Sequence, residues 1–140
     1  MLVKIEVKGD KAVVNSLKRV NQNYSNAIKS AVRTSGLQVE KAAKINSPVK
    51  TGNLRRGILS KESQQGNKYI ARVGPDIATA PYAIYVEEGH AQQPGRFVPA
   101  LGKRLVASWV TGKWYMARTG IQMRKRVENN LKNAFKQIKI

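Results

Sequence analysis

The sequence predicts an α+β fold: a mixed, mainly antiparallel sheet of about four strands, packed by a long N-terminal helix and a C-terminal helix. Strict alternation of apolar residues near the N-terminus is typical of a half-buried strand. Two longer segments, one before residue 47 and one after residue 112, repeat apolar residues at three- and four-residue steps, as amphipathic helices do. Short apolar segments bounded by glycine and proline lie between them and predict the remaining strands.

The chain of 140 residues is long enough for one domain with a hydrophobic core. We expect a single domain over 1–140, divided into 1–46 (strand plus helices), 47–89 (sheet), 90–112 (loop region) and 113–140 (C-terminal helix). The absence of cysteine excludes disulfides and indicates synthesis in a reducing cytoplasm. No apolar run is long enough to span a bilayer, and the N-terminus lacks the apolar centre of a signal peptide.

The charge balance is strongly basic. Lysine and arginine number 26 against 8 acidic residues, which gives a net charge of +18. Residues 90–140 hold 11 basic residues against one acid, Glu128, for +10. Such a field attracts polyanions or acidic protein surfaces and opposes loose self-association, but it does not by itself identify nucleic acid as the partner.

The N-terminal region is expected to hold one strand and two helices. Residues 2–7 alternate as a strand, and Asp10 is a good N-cap for a short helix that begins near Lys11 and is interrupted around residues 21–23. A longer helix then continues to about Asn46. Gly36 either weakens this helix or marks a close contact with the sheet. The apolar stripe of the helix comprises Tyr24, Ala27, Ile28, Ala31, Ser35, Val39 and Ala42.

The segment 47–58, which we call the joint, should end the long helix. Pro48 disfavours the helical conformation at Ser47, so the helix is expected to stop there. Thr51, Gly52 and Asn53 supply residues that favour turns. The joint is then either a plain connector into a strand or a surface that contacts a partner.

Three strands are predicted after the joint. Residues 54–64 and 68–74 should form a hairpin, because 65–67 read Gln-Gly-Asn, a turn signal. Residues 82–87 are rich in aromatic and β-branched side chains and predict a further strand. From Gly89 to Gly102 the composition is typical of a loop, and its length suggests a functional or partner-ordered segment.

The C-terminal helix has an apolar stripe and an opposite basic face. The stripe comprises Met116, Met123, Val127, Leu131, Ala134, Phe135 and Ile138. Thr119 and Gln122 have the spacing of a capping box, so the helix begins either there or near Trp114. The basic face, which we call the basic stripe, comprises Arg118, Lys125, Lys132, Lys136 and Lys139. It is either a solvated surface or a contact for DNA or an acidic protein.

No catalytic site, cofactor site or metal site is predicted, so we expect a protein that is not an enzyme. The single histidine, His90, follows Glu87 and Glu88, but neighbouring residues at a strand end point to opposite faces and no further histidine or cysteine completes a metal site. The two tryptophans, Trp109 and Trp114, lie near the basic stripe. They are interpreted as core or interface residues in preference to base-stacking residues.

Three segments, in order, resemble a known family. They read Ser-Pro-Val-Lys-Thr-Gly-Asn-Leu-Arg-Arg-Gly-Ile over 47–58, Tyr-Ala-x-Tyr-Val-Glu-x-Gly over 82–89, and Phe-Val-Pro-Ala-Leu over 97–101. This pattern is similar to the small neck or tail-component family of long-tailed bacteriophages and prophages. Ser47 stands where that family usually has alanine, and Glu88 and His90 stand where it has phenylalanine and threonine. The region 102–119 is longer than in the shortest members.

The resemblance implies a structural virion protein of the neck, acting in head–tail joining or tail completion. It further implies a fold like that of phage tail-terminator and connector proteins, assembly into a homo-oligomeric ring, and docking on connector, tail-terminator or tail-tube proteins, with no membrane partner. Synthesis in the host cytoplasm and residence in the neck or tail of the virion would follow. The alternative function is a basic nucleic-acid-binding module, and non-specific contact with phage DNA is compatible with both.

Interface candidates are the residues that lie where predicted strands end. At the joint and around the loop that follows Gly89, such positions would meet neighbouring subunits or order on a partner. The candidates are Thr51, Asn53, Arg55, Arg56, Glu87, Glu88, His90, Arg96 and Phe97.

Overall fold

The computed structural model describes residues 2–7 and 21–138. Within them the helices are α1 (Asn21–Asn46), α2 (Asn53–Gly57), α3 (Ala83–Glu88) and α4 (Tyr115–Lys136). The strands are β1 (Val3–Val7), β2 (Ile58–Gln65), β3 (Lys68–Pro75), β4 (Gly89–Ala91), β5 (Phe97–Val98), β6 (Lys103–Arg104) and β7 (Trp109–Thr111). The described residues combine helices with antiparallel sheets, which confirms the α+β class.

A three-stranded antiparallel sheet lies at the centre, in the order β1-β3-β2. In its register Ile5 lies opposite Ala71, and Ile58 lies opposite Pro75. The β2–β3 hairpin turns at Gly66 and Asn67, as the sequence predicted. The middle strand β3 is the most buried, since it has a neighbour on both sides.

Helix α1 packs across the sheet and forms the core with it. Ile28, Val32, Val39 and Ala43 of this helix are buried, and they meet buried residues of β2 and β3. A β-carbon on Gly36 would lie 2.5 Å from Ser60 Oγ and 2.9 Å from Ala71 Cβ, so only glycine allows this approach. The predicted close contact of Gly36 with the sheet is therefore confirmed.

Helix α4 lies along α1, and both apolar and polar contacts join the two helices. Met116 and Met123 are buried, while Val127 and Leu131 pack against the same core. At one end, Asn46 Nδ2 donates to Thr119 Oγ1 at 3.0 Å and to Gln122 Oε1 at 2.9 Å. At the other, Asn130 Nδ2 donates to Ser35 Oγ at 3.1 Å and to Gln38 Oε1 at 2.8 Å. Side-chain amides thus fix the register of the two helices.

Two predicted strand starts are helical. Residues 53–57 form α2, in which Leu54 and Gly57 are both buried at a three-residue spacing. Residues 83–88 form α3, because Ala83 and Glu87, four residues apart, both turn inward while Ile84 and Tyr85 face solvent. The predicted strand 82–87 was therefore wrong, and the central sheet has three strands in the described residues instead of about four.

One other prediction needs correction. The segment 89–102, expected to be a loop, contains β4 and β5. Helix α4 begins at Tyr115, which agrees with the predicted alternative near Trp114, and Thr119 lies inside it with its hydroxyl donating to Tyr115 O at 2.7 Å. Within the described residues helix α1 comprises Asn21–Asn46, and it ends before Ser47, whose N–H still bonds Ala43 O at 2.9 Å. The short helix predicted near Lys11 lies outside the described residues.

Candidate assembly surface

Glu87 is the anchor between α3 and α4. Its side chain is only 2% exposed, and its carboxylate oxygens accept hydrogen bonds from the backbone N–H groups of Met116 (2.9 Å) and Ala117 (3.0 Å). These N–H groups belong to the first turn of α4, which has no acidic residue of its own. A carboxylate there satisfies free donors and interacts favourably with the helix dipole. The Glu87 side chain therefore acts inside the fold, and contact with a partner at this residue stays a prediction.

The backbone after Glu87 crosses the backbone before α4 at very short range. Gly89 has φ 86° and ψ 178°, a conformation that side-chain-bearing residues rarely adopt. A β-carbon on Gly89 would lie 2.3 Å from Val110 O, and one on Gly112 would lie 2.2 Å from Glu87 O. The crossing requires glycine on both strands, and it sets the direction in which residues 89–111 leave the body of the protein.

Residues 89–111 form an extended antiparallel ribbon, which we call the β-arm. Its strands pair β4 with β7 at the root and β5 with β6 near the tip, with backbone bonds such as Gln92 N–H to Ser108 O (2.9 Å) continuing the ladder between them. A short 3₁₀ turn at Pro99–Leu101 closes the tip. From the rise per residue in strands, the β-arm reaches at most about 30 Å.

Almost nothing in the described residues covers the β-arm. Of residues 91–111, only Gln92, Val98 and Leu105 are even partly buried. An isolated two-stranded ribbon is at best marginally stable in water, so this length of exposed ribbon is typical of an element that gains contacts on assembly.

Large apolar side chains are exposed along the β-arm and beside its root. Exposure reaches 89% at Val106 and 55% at both Leu101 and Trp109. A groove of about 580 Å³ at the root, which we call the root groove, is lined mainly by Tyr82, Tyr85, Val86, His90 and Val110. The rings of Tyr85 and His90 meet edge to face there, with centroids 5.8 Å apart. Exposed apolar side chains around such a groove favour an interaction surface here.

The charged residues of the β-arm are all basic. Arg96, Lys103 and Arg104 are exposed, and the sequence from Gly89 to Thr111 contains no aspartate or glutamate. Arg104 Nη1 donates to Gly95 O at 2.7 Å, which holds its guanidinium against the ribbon. The β-arm therefore offers a surface that is both apolar and positively charged.

Hydrogen bonds fix the backbone of the joint, and in the described residues Arg55 has no ion-pair partner. Gly52 has φ 82° and precedes α2, and the N–H of Arg56 returns to Gly52 O at 3.0 Å. The guanidinium of Arg56 donates to the Asn53 side chain, whereas no ion-pair partner lies near the exposed Arg55 in the described residues. Thr51 and Asn53 are exposed beside it, so these four predicted residues share one surface.

The basic stripe occupies the face of α4 that points away from the core. Arg118, Lys125, Lys132 and Lys136 are exposed and take part in none of the ion pairs found in the described residues. Lys139 lies outside those residues. At 1.5 Å per residue, the four cations extend over about 27 Å of helix. The first three are seven residues apart, a spacing that drifts by only ~20° per repeat, and Lys136 follows one helical turn after Lys132, so the four stay in one line.

The other candidates lie near the root of the β-arm. Glu88 is exposed, His90 is half-buried, and Arg96 and Phe97 are on the β-arm itself. No group of three or more histidine or acidic side chains that could hold a metal lies within residues 2–7 and 21–138. Over the same residues, no helix is both long and apolar enough to cross a membrane.

Sequence reasoning missed most of the β-arm. Leu101, Val106 and Val110 carry much of its apolar surface but were not among the interface candidates. Strands of two or three residues are too short to show a period, so alternation could not reveal them. The available signal was the long stretch without a single acid between Gly89 and Thr111.

One protein-family model matches residues 11–89, which is 79 of the 140 residues of this chain. The family is described as bacteriophage HK97-gp10, putative tail-component. Searches of curated proteins and of solved structures each return no match. The matched segment includes the joint and Glu87, and it ends at Gly89, where the β-arm begins.

Proposed function

The chain belongs to the bacteriophage HK97-gp10-like family of tail components, and we propose that it acts in the neck of the virion, in head–tail joining or tail completion. As a phage tail component it is a structural protein that contacts other proteins of the virion. The finer proposal is a homo-oligomeric ring that docks on connector, tail-terminator or tail-tube proteins.

The observation that carries this proposal is the β-arm. It is a ribbon without covering contacts in the described residues, and it holds exposed apolar side chains such as Phe97, Leu101 and Trp109. Such a ribbon is stabilised only when another surface covers it, which is the behaviour expected of a protein whose final state is an assembly.

Two further surfaces support the ring. In the described residues, strand β2 pairs with β3 alone, and residues 61–65 are exposed, so its outer edge is available for β-augmentation by a neighbour. The amide of Ser60 is already bonded to Glu40 Oε2 at 2.8 Å, which leaves the later part of the edge free. Arg55 and Arg56 lie in the joint immediately before this strand. Repeated head-to-tail contact through such unlike surfaces closes a ring when the rotation permits.

Native mass spectrometry of the chain, alone and mixed with the adjacent connector or tail protein, tests the proposal. We expect a defined oligomer in at least the mixed sample. The double variant Arg55→Glu/Arg56→Glu should lower the yield of that oligomer. The control Lys29→Glu/Lys41→Glu makes the same charge change at exposed positions of α1 and should leave it intact. A chain that stays monomeric under all conditions would exclude the ring. Equal oligomer yields from the two double variants would exclude the joint as the contact between subunits.

A second candidate function, contact with DNA, is favoured by the basic stripe. Four exposed cations in one line, without ion pairs in the described residues, suit the regularly spaced phosphates of a duplex. If α4 lines a ring channel, the stripe would face the genome as it passes. Binding to random duplex DNA should then weaken steeply as salt rises, and Lys125→Gln/Lys132→Gln should reduce the slope of that dependence by about two. If this variant binds duplex DNA with unchanged affinity and salt dependence, the basic stripe is not the DNA contact.

A further inference from the structure

From the charges and the apolar side chains of the β-arm we infer the chemistry of its partner: an acidic and apolar surface on a different protein of the tail. This inference rests on the proposed assembly function and names the occupant of the surface built by the β-arm and the root groove. This surface is distinct from the ring contact, which we assign to the joint and the edge of β2.

The acids of the described chain are almost all committed to contacts of their own. Glu87 is buried under α4, and Glu40 binds Lys44 Nζ (2.6 Å) and the Ser60 amide. Four further acids make contacts with polar or basic side chains: Glu6 (to Lys4 at 2.6 Å), Glu62 (to Arg33 at 3.5 Å), Asp76 (to Thr79 Oγ1 at 3.1 Å) and Glu128 (to Arg124 at 3.4 Å). Glu88 alone in this set is exposed without such a contact.

A second copy of this chain is therefore a poor partner for the β-arm. Arg96, Lys103 and Arg104 of one copy would meet a surface of another copy that, in the described residues, offers only Glu88 as an exposed acid without a contact of its own. Placing like charges together across an interface costs several kcal/mol. A different protein that presents aspartate or glutamate around apolar residues would satisfy both the cations and the apolar side chains.

The apolar side chains favour a protein over a nucleic acid. Leu101, Val106 and Val110 have no flat ring to stack on a base, yet they are among the apolar residues exposed on the β-arm. Aromatic and arginine side chains together with aliphatic ones are typical of protein interfaces, with the aromatic residues as anchors. The basic stripe on α4 is the better site for phosphates, because its four described cations lie along one helix face and take part in none of the ion pairs found in the described residues.

The position of the two tryptophans permits a direct test. Trp109 is in β7 and Trp114 precedes α4, so all tryptophan fluorescence of this protein arises at or beside the root of the β-arm. The full chain is titrated with a synthetic peptide that alternates glutamate with leucine. Matched peptides carry lysine or glutamine in place of glutamate, and a random DNA duplex serves as the polyanion without apolar groups.

We expect the tryptophan emission to shift to shorter wavelength with the glutamate peptide alone. Arg96→Glu/Lys103→Glu should weaken its binding by at least about tenfold, because two favourable charge contacts become repulsive. The control Lys29→Glu/Lys41→Glu has the same net charge and should bind the peptide within about twofold of the original chain. Equal thermal unfolding midpoints for the two variants show that folding is not the cause.

Several outcomes would overturn the inference. A shift that appears on concentrating the chain by itself would assign the β-arm to a second copy. If the DNA duplex shifts the tryptophan emission as much as the glutamate peptide does, the β-arm binds DNA. If the glutamine peptide shifts it equally, charge does not contribute to binding at the β-arm. No shift with any probe would also reject it. If native mass spectrometry still detects co-assembly with a tail protein in these cases, the proposed function stands and only the partner chemistry of the β-arm fails.

Discussion

The carboxylate of Glu87 accepts a hydrogen bond from the backbone N–H of Met116 at 2.9 Å, and this single side chain joins the helix before the β-arm to the helix after it. The two residues are 29 positions apart, and the whole β-arm lies between them. The Glu87 carbonyl also accepts from the Trp114 amide at 3.0 Å. Both ends of the β-arm are therefore fixed to one residue of the core.

We predict that Glu87→Ala destabilises the protein by about 2–4 kcal/mol. The substitution removes a helix cap and leaves two N–H groups at a buried helix end without an acceptor. Glu87→Gln keeps one oxygen acceptor but loses the charge, so about half of that loss is expected. Urea unfolding followed by circular dichroism measures both. Glu88→Gln, at the exposed neighbouring position, should change stability by less than about 0.5 kcal/mol. Similar losses for the two glutamine variants would contradict the capping role.

Gly89→Ala should destabilise the fold by about 2–4 kcal/mol, because strain at positive φ adds to a steric clash with Val110 O. Gly66→Ala is the matched control: its φ is also positive, at 58°, but nothing lies within 4 Å of the added carbon. That control should lose only about 1 kcal/mol. Thermal unfolding of the two variants gives the comparison, and equal midpoints would show that the backbone crossing tolerates a side chain.

The sequence predicted the elements whose signals are local. The apolar periods of α1 and α4, the stop at Ser47 and the Gln-Gly-Asn turn of the hairpin each depend on residues a few positions apart, and the structure contains all of them. The close contact of Gly36 with the sheet was predictable for the same reason, since a glycine inside a strong helical pattern indicates close packing against a neighbour.

The elements that the sequence did not predict depend on contacts between residues far apart along the chain. Residues 82–87 have strand composition, yet they are helical because Ala83 enters the core and Glu87 meets α4 from the same face. No local sequence pattern predicts that Glu87 will bond Met116, which lies 29 residues further along the chain. The sequence left the start of α4 open between Thr119 and a position near Trp114; the helix begins directly after Trp114, whose φ of 51° is rare for a large side chain. Of the interface candidates, only Glu87 has its side chain fully committed inside the fold.

Asn130→Ala should cost about 1–2 kcal/mol, because the amide of Asn130 bridges α4 to both Ser35 and Gln38 of α1. Asn129→Ala removes the same group from the adjacent exposed position and should be neutral within about 0.5 kcal/mol. Chemical denaturation distinguishes the two. Equal stability of the two variants would mean that apolar packing alone holds α4 against α1.

The buried hydroxyl of Tyr115 should make the protein sensitive to alkali. Burial, with the nearby Glu87 and Tyr82 as smaller causes, raises the pKa of Tyr115 well above its ordinary value. Between about pH 10 and that raised pKa, the unfolded chain has lost the phenolic proton and the folded chain retains it. The unfolded state then binds fewer protons, so the free energy of unfolding falls with rising pH, by at most about 1.4 kcal/mol per pH unit from this group.

Tyr115→Phe should reduce that alkaline loss and leave stability at neutral pH unchanged or higher, since the Tyr115 hydroxyl has no hydrogen-bond partner in the described residues. Urea midpoints measured on both sides of pH 10 for the original chain and the variant provide the test. Tyr85→Phe, at an exposed ring, should follow the original chain. Burial also raises the pKa of Tyr24, so part of the alkaline loss should persist in Tyr115→Phe. An undiminished loss in Tyr115→Phe would show that ionisation of Tyr115 does not cause the loss of stability at high pH, because the two chains differ only in the hydroxyl group of that residue.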